Sequence, residues 1–317
     1  MQFLYDYGLF AAKTVTLVFA LGLLLLLIIR AASRARDLVS HGQDAEGCRL
    51  EVMSLDDRYD DMADTLRSAI LPPKAYKKAF KAEQKAYKQK LKADTSDRRR
   101  VFVMDFEGDI MASEVAGLRE MVSALLLVAD KDDEVLVRID NAGGAVHEHG
   151  LAASQLLRIR EHGIPLTVSV DKVAASGGYL MACVANRLIA APFAILGSIG
   201  VLSEMPNFHR LLERAGIDFE LHTAGEHKRT LTLFGENTEE GRAKLREQLE
   251  ETHAMFKDFI KAYRPDLDLK QVATGEYWHG EQALSLGLID ALQTSDDYLL
   301  AAREEADLFL LRCKSRK

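Results

Sequence analysis

The stretch that most constrains this chain is Val173-Ala174-Ala175-Ser176-Gly177-Gly178-Tyr179. Upstream, Pro165–Val170 is apolar and β-branched and reads as a buried strand; downstream, Tyr179–Ala185 carries good helix formers and reads as a helix. That order places Ser176 at a strand-to-helix corner, where free backbone N–H groups gather at the positive end of a helix. The glycines that follow allow a second backbone to approach closely. Such a corner exposes a nucleophile and offers an oxyanion site together. The same A-A-S-G-G sequence also suits an N-capped helix packed tightly on a sheet. The stretch alone leaves both readings open.

Around it, short apolar strands alternate with helices. Strands are expected at Val101–Phe106, Glu134–Ile139, Pro165–Val170, Arg187–Ala190, Ile195–Val201 and Phe219–His222. Helices are expected at Glu114–Val128, His147–His162, Tyr179–Ala185 and Glu239–Ala262. Alternation of this kind means repeated βαβ units, a mostly parallel sheet and helices covering it: an α/β fold. The apolar stretch Val173–Leu202 is broken by Gly177-Gly178, Asn186-Arg187 and Pro192, so it reads as buried βαβ elements and not as a membrane span.

Before this region the chain is organised differently. Thr14–Ile29 contains no charge, and residues 8–29 supply roughly the 20 residues that a bilayer requires, so they read as a retained anchor. A cleaved leader fits less well, because the small residues Ala31-Ala32-Ser33 sit among arginines. Arg30, Arg34 and Arg36 follow the apolar segment; read literally, the positive-inside rule then puts the bulk of the chain in the cytoplasm. Lysines at 74, 78, 81, 85, 88 and 92 recur every three or four residues, with Tyr76, Phe80 and Tyr87 on another face. Residues 74–92 therefore read as a basic amphipathic helix, suited either to an anionic membrane surface or to a solvated spacer. Asp94–Asp97 and Arg98-Arg99-Arg100 read as the linker to the main domain.

Charge separates these parts. The formal net charge of −7 combines −3 over residues 1–73, +8 over residues 74–100 and −12 over residues 101–317. An acidic globule of that kind argues against nucleic acid as its partner. Three cysteines (Cys48, Cys183 and Cys313) are too far apart to announce a disulfide framework or a metal site, and they leave the redox compartment open.

Two further segments bear on Ser176. Arg138–Val146 runs from a strand into the Gly143-Gly144 turn and then a helix, and such a turn can aim a backbone N–H at an oxyanion. Thr223–Thr230 carries Lys228, whose amine, if buried near Ser176, would lose charge and act as a general base. Alone, each is ordinary: a βα connection and a solvated lysine. Other candidates are weaker. His147 and His149 point to different helix faces, which disfavours a metal site. His222, His227 and Lys172 are substitute bases, Cys183 reads as a small core residue, and Tyr277–Gly280 as a packing segment.

The ordered set G-G turn, A-S-G-G-Y, G-S-I-G-V and G-x-x-K resembles the membrane-bound S49 serine peptidases, over about Val101–Ala301. The resemblance implies a ClpP/crotonase-like domain of repeated ββα/βαβ units. It implies a Ser/Lys dyad of Ser176 as nucleophile and Lys228 as general base, oxyanion N–H groups from Gly144 and Gly177, and Ser198 orienting the lysine. One departure stands out: the family's S-P-G-G reads Asn141-Ala142-Gly143-Gly144 here, and loss of the proline loosens the turn.

The chain then divides into a membrane anchor with its basic flank (1–36), an extension carrying the basic helix (37–100) and a peptidase domain (101–317). The expected activity is that of a membrane-anchored endopeptidase acting on extended or unfolded peptide and protein segments near the membrane, such as released signal peptides. It would need no metal and no cofactor. The resemblance further implies a homo-oligomeric ring seated on a bacterial inner membrane, with catalytic groups shared across subunits. An acyl-transfer or hydratase enzyme on the same fold fits the anchor poorly. The rival from another class is a catalytically silent membrane scaffold, which has no reason to keep both Ser176 and Lys228.

Overall fold

The computed structural model describes residues 48–90, 98–225 and 227–314, together with Lys13 and Gly22. The expected anchor at 8–29 lies outside the described residues apart from those two, which are helical. Among the described residues no helix is long and apolar enough to cross a membrane. The chain forms two compact units, residues 1–48 and 49–317, and every element named below belongs to the second.

The strands are β1 (Arg49–Ser54), β2 (Arg100–Gly108), β3 (Glu134–Asn141), β4 (Leu166–Val170), β5 (Val173–Ala175), β6 (Arg187–Ala190), β7 (Ile195–Gly197), β8 (Tyr277–His279), β9 (Ala291–Leu292) and β10 (Asp307–Lys314). The helices are α1 (Leu55–Ile70), α2 (Pro73–Lys90), α3 (Val115–Leu126), α4 (Val146–Glu161), α5 (Gly177–Ala182), α6 (His209–Arg214), α7 (Glu239–Tyr263), α8 (Leu269–Val272), α9 (Gly280–Ser285) and α10 (Ser295–Ala302). The main sheet runs β1-β10-β2-β3-β4-β6-β9, and a branch leads from β3 through β5 and β7 to β8. β1 against β10 and β8 against β7 are antiparallel, and all other pairs are parallel. The result is a mixed α/β fold with a mostly parallel sheet.

Alternation along the strands explains how the sheet is sandwiched. In β2, Phe102, Met104 and Phe106 enter the larger core with Leu118, Val122, Leu156 and Ile159 of α3 and α4. Val101 and Val103 face a smaller core with Leu55 of α1 and Tyr298 and Leu299 of α10. A strand buried on both faces needs an apolar side chain at nearly every position, which is why V-F-V-M carries no polar break. Burying each Leu-sized side chain contributes about 1.5–3 kcal/mol.

The first part of the extension belongs to this body. Ser54 Oγ caps α1 by accepting the Asp57 N–H at 3.1 Å. Asp56 of α1 accepts the Leu308 N–H at 2.8 Å, and Asp56 and Asp60 both pair with Arg303. The arginine triplet is likewise consumed internally. Arg98 donates to the carbonyl of Arg303 at 2.9 Å, Arg99 pairs with the buried Glu134, and Arg100 grips the buried Asp133 through Nε at 2.8 Å and Nη2 at 2.5 Å. These guanidiniums fasten β2 to its neighbours.

One expectation needs correction. Phe219–His222 forms no strand, and all four residues are exposed. Phe219 instead packs on Phe234, with ring centroids 5.8 Å apart. Cys48 and Cys313 are disulfide-bonded, and Cys183 is free.

Candidate active site

β3, β5 and β7 run parallel and end side by side, with Asn141 opposite Ala174 and Ala175 opposite Gly197. The crevice outside the carboxyl ends of parallel strands is where open α/β sheets bind ligands. Ser176 sits there, between the last residue of β5 and the first of α5. Its backbone has φ 50° and ψ −117°, a conformation that costs a residue with a side chain about 1–3 kcal/mol. Hydrogen bonds on both sides hold it: the Ser176 N–H donates to Gly197 O at 2.7 Å, and Ser176 O accepts the Leu180 N–H at 3.0 Å.

The turn after β3 closes on the serine. Gly143 has φ 91°, and a Cβ there would lie 2.7 Å from Ser176 Cβ and 2.8 Å from Gly177 N. Glycine is thus required twice over, for its backbone conformation and for the approach. The Gly143 N–H donates to Asn141 Oδ1 at 2.7 Å. Among the described residues the N–H groups of Gly144 and Gly177 have no acceptor. The Gly177 N–H follows Ser176 directly in the chain, and the Gly144 N–H follows the Gly143 that abuts it.

Ser198 is the second strained serine, at φ 49°, one residue beyond the Gly197 that receives the Ser176 N–H. Its own N–H donates to Glu276 O at 2.7 Å. The structure therefore brings Ser176, Gly143, Gly144, Gly177 and Ser198 around one corner. Lys228 stands apart. It is exposed, on the irregular segment between α6 and α7, and among the described residues its amine has no hydrogen-bond or ion-pair partner. No hydrogen bond joins it to Ser176 or Ser198.

The weaker candidates find plain roles. Lys172 is exposed and bonds Asp140 at 2.6 Å, and this hydrogen bond raises its pKa above the ordinary lysine value, so it is a poor base. His147 is exposed whereas His149 is fully buried; His222 pairs with Glu220 at 3.4 Å, away from the corner. Cys183 is buried, and desolvation pushes its thiol up to about 12, so it stays protonated as a core residue. Tyr179 donates to Leu288 O at 2.9 Å and ties α5 to the body. Trp278 packs over Gly197, which places Tyr277–His279 in the wall of the site.

The structure also brings Asn141 and His149 to this corner, a placement the sequence did not reveal. His149 lies with Nδ1 2.9 Å from Ala145 O and Nε2 3.2 Å from Asn141 Oδ1. The available signal was an Asx residue two positions before a glycine in a turn, a pattern in which the side chain hydrogen-bonds the backbone ahead of it.

Comparison with known proteins identifies the family of the chain. The model of the peptidase family S49 N-terminal region matches residues 2–156, and that of peptidase family S49 matches residues 158–309. A probable protease SohB of Buchnera aphidicola subsp. Acyrthosiphon pisum is 45% identical over 317 residues, covering 100% of this chain and 92% of the relative. A probable protease SohB of Haemophilus influenzae is 44% identical over 322 residues, covering 98% and 89%. Among solved structures, a membrane-bound stomatin-specific protease aligns with 13% identity and a TM-score of 0.42, over 64% of this chain and 84% of its own, a likeness too slight to carry an argument. With both family models matching in tandem and relatives of this identity aligned along nearly their whole length, the chain belongs to peptidase family S49.

Proposed function

We propose that the chain is a membrane-anchored serine endopeptidase with a ClpP/crotonase-like domain, in which Ser176 is the nucleophile and Lys228 the general base. The observation that carries this reading is the Ser176 corner: a strained serine with two unengaged N–H groups, of Gly144 and Gly177, beside it. In the reaction the neutral Lys228 amine takes the hydroxyl proton as Ser176 Oγ attacks a peptide carbonyl. The tetrahedral oxyanion is held by the Gly144 and Gly177 N–H groups. Lys228 then passes the proton to the leaving amine, and one water hydrolyses the acyl-serine. Ser198 orients the lysine amine.

A neutral lysine needs dry surroundings, and Lys228 is exposed in the single chain. That segment leaves Leu221 uncovered, and the stretch before it leaves Leu202, Phe208 and Leu211 uncovered. Contact with neighbouring copies, in a homo-oligomeric ring, would cover both and bring the amine to Ser198 and Ser176. Residues 8–29 would anchor that ring in a bacterial inner membrane, and its substrates would be extended segments such as released signal peptides.

The test is hydrolysis of a mixed pool of apolar peptides by the detergent-solubilised full chain, beside Ser176→Ala and Lys228→Ala. Cleavage by wild type alone supports the dyad. Cleavage by both variants at the wild-type rate moves the nucleophile elsewhere, and no cleavage by any form favours the scaffold.

A further inference from the structure

Beyond the dyad, the corner has a buried polar support. Asn141 is 1% exposed and His149 0%. Buried polar side chains are costly unless hydrogen-bonded, so a pair kept beside a reacting centre marks a defined geometry. Because the Gly143 N–H donates to Asn141 Oδ1, the atom at that position is the amide oxygen. The His149 Nε2 points at that same oxygen, and a Cβ on Gly177 would fall on the His149 ring. The backbone carbonyl of Asn141 in turn lies against Gly178. Both proposed oxyanion donors, the one after Gly143 and the one on Gly177, therefore rest on the same two side chains.

We infer that Asn141 and His149 are a positioning pair for the oxyanion site: Asn141 pins the Gly143 N–H and so aims the Gly144 N–H, and His149 fixes the Asn141 amide while its ring sets the depth of Gly177. This rests on the reading of Gly144 and Gly177 as oxyanion donors. The need for such a pin follows from the sequence. Ala142 occupies the place where a proline would fix φ, so the turn carries no stiffness of its own. The hydrogen bond from the Gly143 N–H to Asn141 Oδ1 restrains the chain there instead. The amide itself rotates freely about χ2 unless something holds it, and His149 is in contact to do so.

The experiment uses the detergent-solubilised full chain and apolar peptide substrates. His149→Phe keeps a ring over Gly177 and removes both ring nitrogens; Asn141→Leu keeps the shape and removes the acceptor; Asn141→Asp keeps the acceptor. We expect kcat to fall about 10- to 100-fold in the first two, with KM changed by less than about twofold, since only the aim of the transition-state donors is lost. The double variant should lose no more than the worse single variant, because both act through one contact. Asn141→Asp should retain most of kcat. Amide hydrogen exchange over residues 141–148 should quicken in His149→Phe at an unchanged melting temperature. Wild-type kcat in the folded variants, losses that multiply in the double variant, or unchanged exchange over 141–148 would each overturn the pairing. Failure of the underlying reading is seen separately, as wild-type cleavage by Ser176→Ala.

Discussion

The two halves of the proposed dyad sit in opposite physical settings. Ser176 is at the meeting of three strands and a buried helix, strained but fixed by backbone hydrogen bonds at 2.7 and 3.0 Å. Lys228 rides on an exposed segment that is organised mainly by itself. Asn207 Nδ2 donates to the carbonyls of Thr232 and Gly235 at 2.9 and 3.0 Å, and Phe208 stacks on Phe234. The body can hold a nucleophile in an unfavourable conformation because many contacts over-determine it. The arm has no such surroundings, so whatever dries and aims the lysine must come from outside the arm. On the proposed reading, the difference separates a preorganised nucleophile from a base that awaits assembly.

The largest effect that can break this contrast is on catalysis itself. Ser176→Ala and Lys228→Ala should each lower kcat by at least about 10⁴-fold while the protein remains folded and assembled, as removal of one member of a catalytic unit does. If Lys228→Ala cleaved peptides at the wild-type rate, the arm would have no chemical part and the contrast would reduce to surface against core.

Next comes the strained corner. Gly143→Ala must place a methyl 2.7 Å from Ser176 Cβ on a backbone at φ 91°. Activity should drop about 100-fold, and the melting temperature should fall as well, because the body shares the strain. A fully active Gly143→Ala would show that the corner is not over-determined.

The arm should respond the other way. Leu202 and Leu211 are 77% and 63% exposed. Leu202→Asp or Leu211→Asp should leave unfolding free energy within about 0.5 kcal/mol, as exposed sites do. Sedimentation should nevertheless show a smaller assembly, and peptide hydrolysis should fall about 10-fold or more. An unchanged assembly in these variants would remove the arm as the contact surface.

The smallest effect concerns the body alone and is read by pH. Burial of Asp133 opposes its ionisation, but the Arg100 guanidinium and the Asp130 N–H outweigh it, holding the carboxyl below the ordinary aspartate value. A depressed carboxylate contributes stability that is complete above the unfolded pKa and is lost as pH falls through the folded one. The melting temperature should therefore decline on acidification below about pH 4, and Arg100→Leu should flatten that decline. If the two profiles are parallel, this pair does not set the acid limit.

Much of the body was readable from local pattern. The strand at Arg187–Ala190 and the helices α3, α4 and α7 lie within one or two residues of their expected bounds, because each carries its own period of buried positions. The strand-to-helix corner at Ser176 was legible for the same reason. β1, β10 and α10 were not foreseen. β10 pairs with β2 across some two hundred residues of chain, and β1 then covers its edge, so neither announces itself by a turn or a neighbouring strand. Phe219–His222 shows the reverse error: an alternating segment is left exposed and outside the sheet.

The sequence by itself determined the α/β architecture, the corner that presents Ser176, and the likeness to S49 peptidases, all of which depend on residues close together along the chain. Only the tertiary structure decided that Arg98–Arg100 bind inside the body, that Gly143 abuts the nucleophile, and that Asn141 and His149 meet beneath it. Those facts depend on which surfaces compaction brings face to face, and a one-dimensional pattern does not encode that apposition until the strands have found their order.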